Sequence, residues 1–358
     1  GLPAPLLDAS RLNWQGLYPT SSYTLRDPLC PAEIRCEALS PIIPYDLDAS
    51  MLPVVLFSFT FSNRGKQALD VACLFNWENL NNCTGSIRPE ERGKVLPTLM
   101  PVEIEASEGQ ELRKRKPVLS VLRYGQTSDM ASNAQGNYCL LAQEQHGVAI
   151  SHSVFDERDP ASLANVWHHF VHYGQLDNQS ITETDAHSGA LCCKATLDPG
   201  QEKRFLFILA WYFPHHEFNG QLIGNKYANS FADSFEIARQ ALKYHEFYIR
   251  AVHNWHRRFT GSSLPSYLST ALLNCSSLLS SNALLDRDGN YALFDSSDTP
   301  TVGGGETALH ASMATLLFFP ALADRELFLL SSALASSLRP AAPDATGAHK
   351  QPMSILFD

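Results

Sequence analysis

Five acidic residues crowd one short stretch in the last third of the chain: Asp286, Asp288, Asp295, Asp298 and Glu306. A pair of carboxyl groups across a cleft is what glycoside hydrolysis requires, because one protonates the leaving oxygen while the other attacks or stabilises the anomeric carbon. A solvated or ion-binding loop has the same composition, and the Asp-Arg-Asp-Gly-Asn stretch at 286–290 matches a calcium-binding loop only in part. Composition alone favours the solvated loop and leaves the hydrolytic pair open.

Two groups of histidines approach known motifs without completing them. His168 and His172 are spaced i, i+4, as on a zinc-protease helix, but His169 stands where the general-base glutamate should be. The His-His-Glu stretch at 215–217 follows a predicted strand and is typical of an exposed polar loop. The glycine-rich segment 301–307 lacks both the lysine and the spacing of a phosphate-binding loop. The sequence therefore predicts no metal site, no nucleotide site and no organic cofactor.

The net charge and the cysteine pattern disfavour some functions and cellular locations of the protein and favour others. The formal net charge of −10 disfavours a general nucleic-acid binder, which needs a basic face. None of the eight cysteines forms a Cys-x-x-Cys pair and several lie in apolar strand patterns, which favours a reducing compartment and a cytoplasmic location. The apolar runs are too short for a transmembrane segment, and no signal peptide is recognisable. Because the chain starts at Gly1 and stops on an apolar run, we expect it to be a fragment.

Residues 1–232 are predicted to form a β-sandwich of two antiparallel sheets. Apolar and polar residues alternate in several segments with the period of a half-buried strand, and polar turns separate them. Three hairpins are expected, each from two such segments: 52–63 with 68–77, 136–143 with 147–153, and 190–197 with 203–213. A short helix over 161–173, ended by Gly174, interrupts the strands.

From about residue 231 the apolar period changes to three, four and seven residues. This pattern predicts a long amphipathic helix over 233–262, which we interpret as a linking helix. Leu264-Pro265 then opens a further helix, and two more are predicted over 306–323 and 325–338. The chain is therefore predicted to divide into a sandwich, a linking helix and a helical region over 263–358.

A series of segments, in order along the chain, resembles glycoside hydrolase family 116, which contains the non-lysosomal glucosylceramidases and related bacterial β-glucosidases. The segments are 37–63 (EALSPIIPYDLDASMLPVVLFSFTFSN), 75–79 (FNWEN), 166–178 (VWHHFVHYGQLDN), 207–218 (FILAWYFPHHEF), 224–231 (GNKYANSF), Trp255, 264–274 (LPSYLSTALLN) and 310–327 (HASMATLLFFPALADREL). No single motif is decisive, but the ordered set covers nearly the whole chain. The resemblance implies an antiparallel β-sandwich followed by an (α/α)6 barrel that carries the active site, with only the first barrel helices present here.

The resemblance also exposes a departure at the expected catalytic position. In the family, the residue after the asparagine of this helix is the nucleophilic glutamate, whereas here Asn274 is followed by Cys275. A thiol lacks the two oxygens that share charge with an oxocarbenium-like transition state, and little of it is ionised at neutral pH. The family's sugar-contacting histidine falls on Ala308, and its acid/base aspartate lies beyond Asp358. The family mechanism therefore cannot be transferred residue by residue.

Three explanations of this departure stay open. In the first, the protein is a divergent hydrolase whose catalytic carboxylates are Asp295 and Glu306, with His310 and Asn274 contacting the sugar. The full-length protein would then hydrolyse a β-glycoside, as a β-glucosidase or glucosylceramidase-like enzyme does, and this fragment alone would be inactive. In the second, the site has decayed and the protein is a carbohydrate-binding or structural relative. In the third, the alignment is shifted by a few residues in this helix.

The second explanation has its own candidate residues. Trp211, Tyr212, Phe218 and Tyr227 are candidates to stack on sugar rings at the junction of sandwich and helices, although core packing is the alternative for Trp211. In either case the expected partner is a carbohydrate or glycoconjugate, with no nucleic acid.

Overall fold

Two stacked antiparallel sheets form the body of the protein. The computed structural model describes residues 9–28, 30–80, 95–101, 118–125, 136–143, 145–156, 159–178, 188–218, 220–294, 302 and 305–337. The larger sheet has eight strands, in the order β1 (Leu12–Leu17), β2 (Thr20–Leu25), β3 (Ala32–Leu39), β4 (Val54–Asn63), β11 (Glu202–Tyr212), β8 (Asn137–Gln143), β7 (Val118–Tyr124) and β6 (Val95–Pro101). The smaller sheet has three strands, in the order β5 (Leu69–Glu78), β10 (Ser188–Leu197) and β9 (Ala149–Phe155). This architecture agrees with the predicted sandwich.

The three predicted hairpins are wrong, because the two strands of each pair belong to different sheets. Strand β4 pairs with β3 and β11, whereas β5 pairs with β10. Likewise, β8 and β11 lie in the larger sheet, while β9 and β10 lie in the smaller one. Each polar turn therefore carries the chain from one sheet to the other. The alternation of apolar and polar residues is the same whether the next strand pairs with the first in one sheet or lies across the core in the other sheet. The sequence pattern therefore did not distinguish a hairpin from a connection between sheets.

Aromatic side chains fill the space between the sheets. The ring of Phe75, on β5, lies 4.7 Å from the ring of Phe57 on β4 and 5.5 Å from that of Phe207 on β11. Tyr124 and Phe205 are buried in the same cluster. Because these rings meet between the two inner faces, burial of apolar area favours stacked sheets over hairpins with one face in water.

A helix covers the outer face of each sheet. Helix α3 (Ser234–Thr260) packs against the larger sheet, where Ile237, Ala241 and Val252 join the cluster that contains Leu56 of β4. Helix α2 (Pro160–Tyr173) packs against the smaller sheet through Val166 and Phe170. The expected helices at 161–173 and 233–262 are therefore present. The second of them is an outer layer of the sandwich: it packs on the sheet as far as Val252, and its last turns pack through Trp255 against Leu17 and Leu273.

The ends of α2 follow from local sequence. The Asp159 carboxylate accepts hydrogen bonds from the N–H groups of Ala161 and Ser162, at 3.0 and 3.2 Å. Gly174 ends the helix in the left-handed region, with φ 62°. The end at Gly174 agrees with the prediction, and the helix begins one residue earlier than predicted, at Pro160, where proline is favoured.

The last part of the chain is helical with one small hairpin. It contains α4 (Ser266–Cys275), α5 (Leu278–Ser281), strands β14 (Ala283–Leu285) and β15 (Tyr291–Leu293), α6 (Gly305–Phe318) and α7 (Pro320–Ser337). The predicted helix over 306–323 is wrong in its end, because Pro320 begins a new helix and the break falls at Phe319. The hairpin β14–β15 was not expected. The remaining short elements are α1 (Leu47–Ser50), β12 (Glu217–Phe218), β13 (Gln221–Leu222) and two 3-10 helices, Ala9–Arg11 and Lys226–Asn229.

The helical part shares a core with the sandwich. Ile42, from the loop after β3, packs with Tyr291 and Leu293 of β15 and with Phe319 and Leu322. Tyr18 and Leu47 of the sandwich lie against the same cluster. Within the described ranges, no helix has the length and apolar character needed to cross a bilayer.

Candidate functional site

The predicted acidic cluster is only partly described. Asp295 and Asp298 lie outside the described residues. Glu306 and His310 belong to the first turns of α6, where the backbone is described and the side chains are not. Their predicted roles therefore stay predictions. What the structure adds is that Glu306 and His310 are spaced i, i+4 on one helix, so they share a helix face.

Asp286 and Asp288 belong to the turn of the small hairpin. The carboxylate of Asp286 accepts hydrogen bonds from the backbone N–H of Asn290 at 2.7 Å and from its side-chain amide at 2.8 Å. Asp286 is only 3% exposed, whereas Asp288 is exposed. The segment between α5 and α6 is thus a structured hairpin where it is described, and the partial calcium motif is its turn. No group of three or more metal-ligating side chains occurs among the described residues.

Asn274 and Cys275 end helix α4, and Asn274 is bound to the β1–β2 hairpin. Its Oδ1 accepts a hydrogen bond from the N–H of Tyr18 at 2.8 Å, and its Nδ2 donates to the carbonyl of Gly16 at 3.3 Å. The thiol of Cys275 is free and exposed. The structure therefore gives Asn274 a role in joining α4 to the sandwich. Its predicted sugar contact stays a prediction.

Tyr18, at the tip of the same hairpin, contacts three helices. His256 of α3 donates from Nε2 to the Tyr18 carbonyl at 2.9 Å, and Ser280 of α5 lies 3.1 Å from the Tyr18 hydroxyl. The Tyr18 ring packs edge-on against Trp255, 6.4 Å between centroids. Burial raises the pKa of Tyr18 to about 12 and lowers the pKa of His256, so both side chains are neutral at pH 7. Together with the Asn274 contact, these interactions join the tip of the β1–β2 hairpin to α3, α4 and α5.

A cavity of about 280 Å³ lies between the sandwich and the helices. Apolar side chains dominate its walls, and the polar residues that line it include Asn225, Lys226 and Ser280. Two of the four predicted aromatic residues, Trp211 and Tyr227, line it. A mainly apolar cavity with a few polar groups is typical of a small-molecule site.

The other two predicted aromatics have packing roles. The ring of Tyr212 lies 6.0 Å from that of Tyr227 and packs on the cluster that contains α3. Phe218 is 7% exposed and packs against Phe294, after β15, at 5.9 Å. The structure therefore brings Trp211 and Tyr227 to the junction cavity and places Phe218 in a small core.

Glu326 is a buried carboxyl group that the sequence analysis did not single out. It lies on α7, is 5% exposed, and accepts a hydrogen bond from the backbone N–H of Leu293. Burial raises the pKa of this carboxyl group above its ordinary value. Next to it, Tyr291 contacts the hydroxyl of Thr315 at 3.2 Å. In the sequence, Glu326 lies four residues after Leu322 and therefore on the apolar face of α7. This spacing was the sequence signal that could have identified Glu326 as a buried carboxyl group.

Comparisons with known proteins point to one sequence family. Residues 5–247 match the family model described as beta-glucosidase 2, glycosyl-hydrolase family 116, N-terminal. That range ends within α3 and contains both sheets.

Two solved structures show distant likeness. A protein described as a kojibiose phosphorylase from the human microbiome is 11% identical, with a TM-score of 0.29, over 87% of this chain and 29% of that one. Heparan sulfate lyase HepC from Pedobacter heparinus is 9% identical, with a TM-score of 0.26, over 59% of this chain and 24% of its own. At these scores neither likeness bears on function, and this chain spans less than a third of either protein.

Proposed function

This chain belongs to glycosyl-hydrolase family 116, and on that premise we propose that the full-length protein acts on carbohydrate and hydrolyses a β-glycoside, as a β-glucosidase or glucosylceramidase-like enzyme. The observation that carries the proposal is the match over residues 5–247, which spans the whole sandwich. The substrate is a carbohydrate or glycoconjugate, and the helices after α3 are the start of an (α/α)6 barrel.

Two carboxylates perform the reaction in this proposal, and Asp295 and Glu306 are the candidates within this chain. Both follow the β14–β15 hairpin in the sequence. That hairpin packs against Ile42 of the sandwich and Phe319 of the helical region. Carboxyl groups about 5–5.5 Å apart would give retention of anomeric configuration, and groups about 6.5–9.5 Å apart would give inversion. The resemblance aligns Cys275 with the family nucleophile, and in that alignment the nucleophilic carboxylate comes from another position.

Hydrolysis of an aryl β-glucoside by the full-length protein tests the assignment. Asp295→Asn and Glu306→Gln are each expected to lower kcat by a factor on the order of 100 or more, the usual contribution of an acid–base group. Asp288→Asn is the matched control, because Asp288 is an exposed aspartate of the nearby hairpin turn. Unchanged activity in both variants would remove Asp295 and Glu306 from the reaction. The 358-residue chain alone is expected to show no turnover.

A second candidate function is carbohydrate binding without catalysis. Cys275 at the family's nucleophile position favours it, as do Trp211 and Tyr227 on the wall of the junction cavity. Under this alternative the full-length protein binds a β-glucoside and releases it unchanged, and Trp211→Phe weakens the binding. Restoring the carboxylate with Cys275→Glu distinguishes a decayed site from a relocated one. Gain of turnover indicates decay, and no gain with intact wild-type activity indicates relocation.

A further inference from the structure

A groove of about 370 Å³ lies between α1 and α3. It shares Met51 and Leu52 with the junction cavity and differs from it in its other wall residues. Its walls include Asp46, Asp48, Gln240, Tyr244, Phe247 and Tyr248. We propose that this groove is a non-catalytic binding site for one or two units of an uncharged sugar. Its size is at the small end of the range for ligand pockets, about 300–1,000 Å³.

Three aromatic rings form the apolar side of the groove. Tyr248 is 4% exposed and lies between Tyr244 and Phe247, with ring centroids 6.2 and 5.8 Å away. Tyr244 and Phe247 are 39% and 46% exposed. Neither belongs to the buried stripe of α3 that packs on the sheet, so sheet packing does not account for them. Exposed aromatic rings grouped in a groove are typical of a binding surface.

Polar groups border the aromatic rings. One oxygen of Asp46 accepts a hydrogen bond from the N–H of Ala49 at 3.0 Å, and its other oxygen faces no described donor. The side chains of Asp48 and Gln240 make no hydrogen bond to any described residue. Carboxylates accept hydrogen bonds from hydroxyl groups, and an amide both donates and accepts. A pyranose has an apolar C–H face and a rim of hydroxyls, which is complementary to rings bordered by such groups.

An organic cation is the competing ligand, because carboxylates and aromatic faces attract positive charge. The structure favours the neutral ligand. The ammonium group of Lys243 already lies over the Tyr244 ring, 5.3 Å from its centroid. A second cation at that ring would be repelled by Lys243, whereas an uncharged sugar would not be.

Saturation-transfer NMR of the protein with cellobiose and with methyl β-glucoside tests the proposal. Tyr244→Ala and Phe247→Ala should each raise the Kd by about 10-fold, the effect of losing one good aromatic contact. Tyr267→Ala is the matched control, since Tyr267 is 75% exposed on α4 and outside the groove. Trp211→Phe tests the junction cavity separately: weaker binding in this variant, with unchanged binding by Tyr244→Ala and Phe247→Ala, would place the sugar in that cavity and overturn the proposal. Circular dichroism confirms that each variant is folded.

Three results would overturn the proposal: no sugar signal for the folded wild type, equal binding by the wild type and both groove variants, or binding of choline in place of sugar. Groove binding and hydrolysis are tested by different variants, so failure of one proposal can be told apart from failure of the other. If the full-length protein is a hydrolase, Phe247→Ala should leave turnover of a saturating aryl β-glucoside unchanged. Asp295→Asn should abolish turnover and leave groove binding intact.

Discussion

Tyr45 ends helix α6 from outside that helix, because its backbone N–H donates to the carbonyl of Phe318 at 2.8 Å. Its hydroxyl donates to the carbonyl of Leu317 at 2.7 Å. Tyr45 has a φ of 67°, in the left-handed region that non-glycine residues rarely adopt. The last carbonyls of a helix have no partner within it. A residue of the sandwich therefore supplies the donors that the helical region needs, at a cost in backbone strain.

Removal of the Tyr45 hydroxyl should weaken this joint. We expect Tyr45→Phe to lower the free energy of unfolding by about 1 kcal/mol, the usual net value of one hydrogen bond. Urea denaturation of the wild type and the variant measures the difference. Tyr267→Phe is the control, because Tyr267 is as exposed as Tyr45 (75% against 74%) but its hydroxyl makes no hydrogen bond to a described residue, so its removal should be neutral. Equal unfolding midpoints for wild type and Tyr45→Phe would show that the hydroxyl contributes nothing.

Loss of the Asn274 amide should release α4 from the hairpin tip. Asn274→Ala removes two hydrogen bonds, to Tyr18 and Gly16, and should cost about 1–3 kcal/mol of unfolding free energy. Cys275→Ser, at the adjacent exposed position, is expected to be neutral within about 0.5 kcal/mol. Urea denaturation measures both variants. If Asn274→Ala is as stable as Cys275→Ser, the two hydrogen bonds between Asn274 and the β1–β2 hairpin contribute nothing to stability.

The side chain of Asn63 forms hydrogen bonds with two of the turns that connect the sheets, β4 to β5 and β10 to β11. Its Nδ2 donates to the carbonyls of Gln67 at 2.8 Å and Leu197 at 2.9 Å, and its Oδ1 accepts from Gly65 at 2.8 Å. Because Asn63 is buried, Asn63→Ala leaves backbone groups without partners and should cost about 2–4 kcal/mol.

Asn76→Ala is the control for Asn63, because Asn76 is exposed near the end of β5. Urea denaturation should place this variant within about 0.5 kcal/mol of the wild type. A small effect at Asn63 would mean that the aromatic core alone sets how the chain crosses between the sheets.

The Asn63 contacts also explain how far the sequence could predict the fold. Alternation identified the strands, since one-sided burial has the same signature in every antiparallel sheet. It did not identify their partners. Those depend on long-range contacts, such as Asn63 with Leu197 and Phe75 with Phe207, that no local pattern contains. The end of α2 was predicted correctly because a single residue, Gly174, decides it, whereas the Asp159 cap at its start was not predicted.

The candidate site was harder to predict, for the same reason. Asn274 was noticed because of its sequence neighbour, and its partners Gly16 and Tyr18 lie more than 250 positions away. Tyr244 and Phe247 were hidden because an aromatic residue on an amphipathic helix is ordinarily a core residue. Only the packing of α3 shows that these two rings lie off its buried stripe.

The buried Glu326 carboxyl group should make stability depend on pH. Burial raises its pKa above the ordinary value of 4.5, so the folded state binds this proton more tightly than the unfolded chain. Its contribution to stability is therefore complete below pH 4.5 and is lost as the pH rises through the folded-state pKa. We expect the free energy of unfolding to fall over this range. In Glu326→Gln, which is neutral and still able to accept from Leu293, this fall should be absent.

The comparison needs a control for the other acidic groups of the protein. Asp324→Asn, at an exposed position of α7, should keep the wild-type dependence on pH because Asp324 is solvated in both states. Urea denaturation between about pH 4 and pH 8 measures all three proteins. Above the folded-state pKa, Glu326→Gln should be the most stable, since it alone avoids a buried charge. Parallel pH profiles for the wild type and Glu326→Gln would mean that Glu326 is ionised in the folded protein at no cost, and that water reaches it.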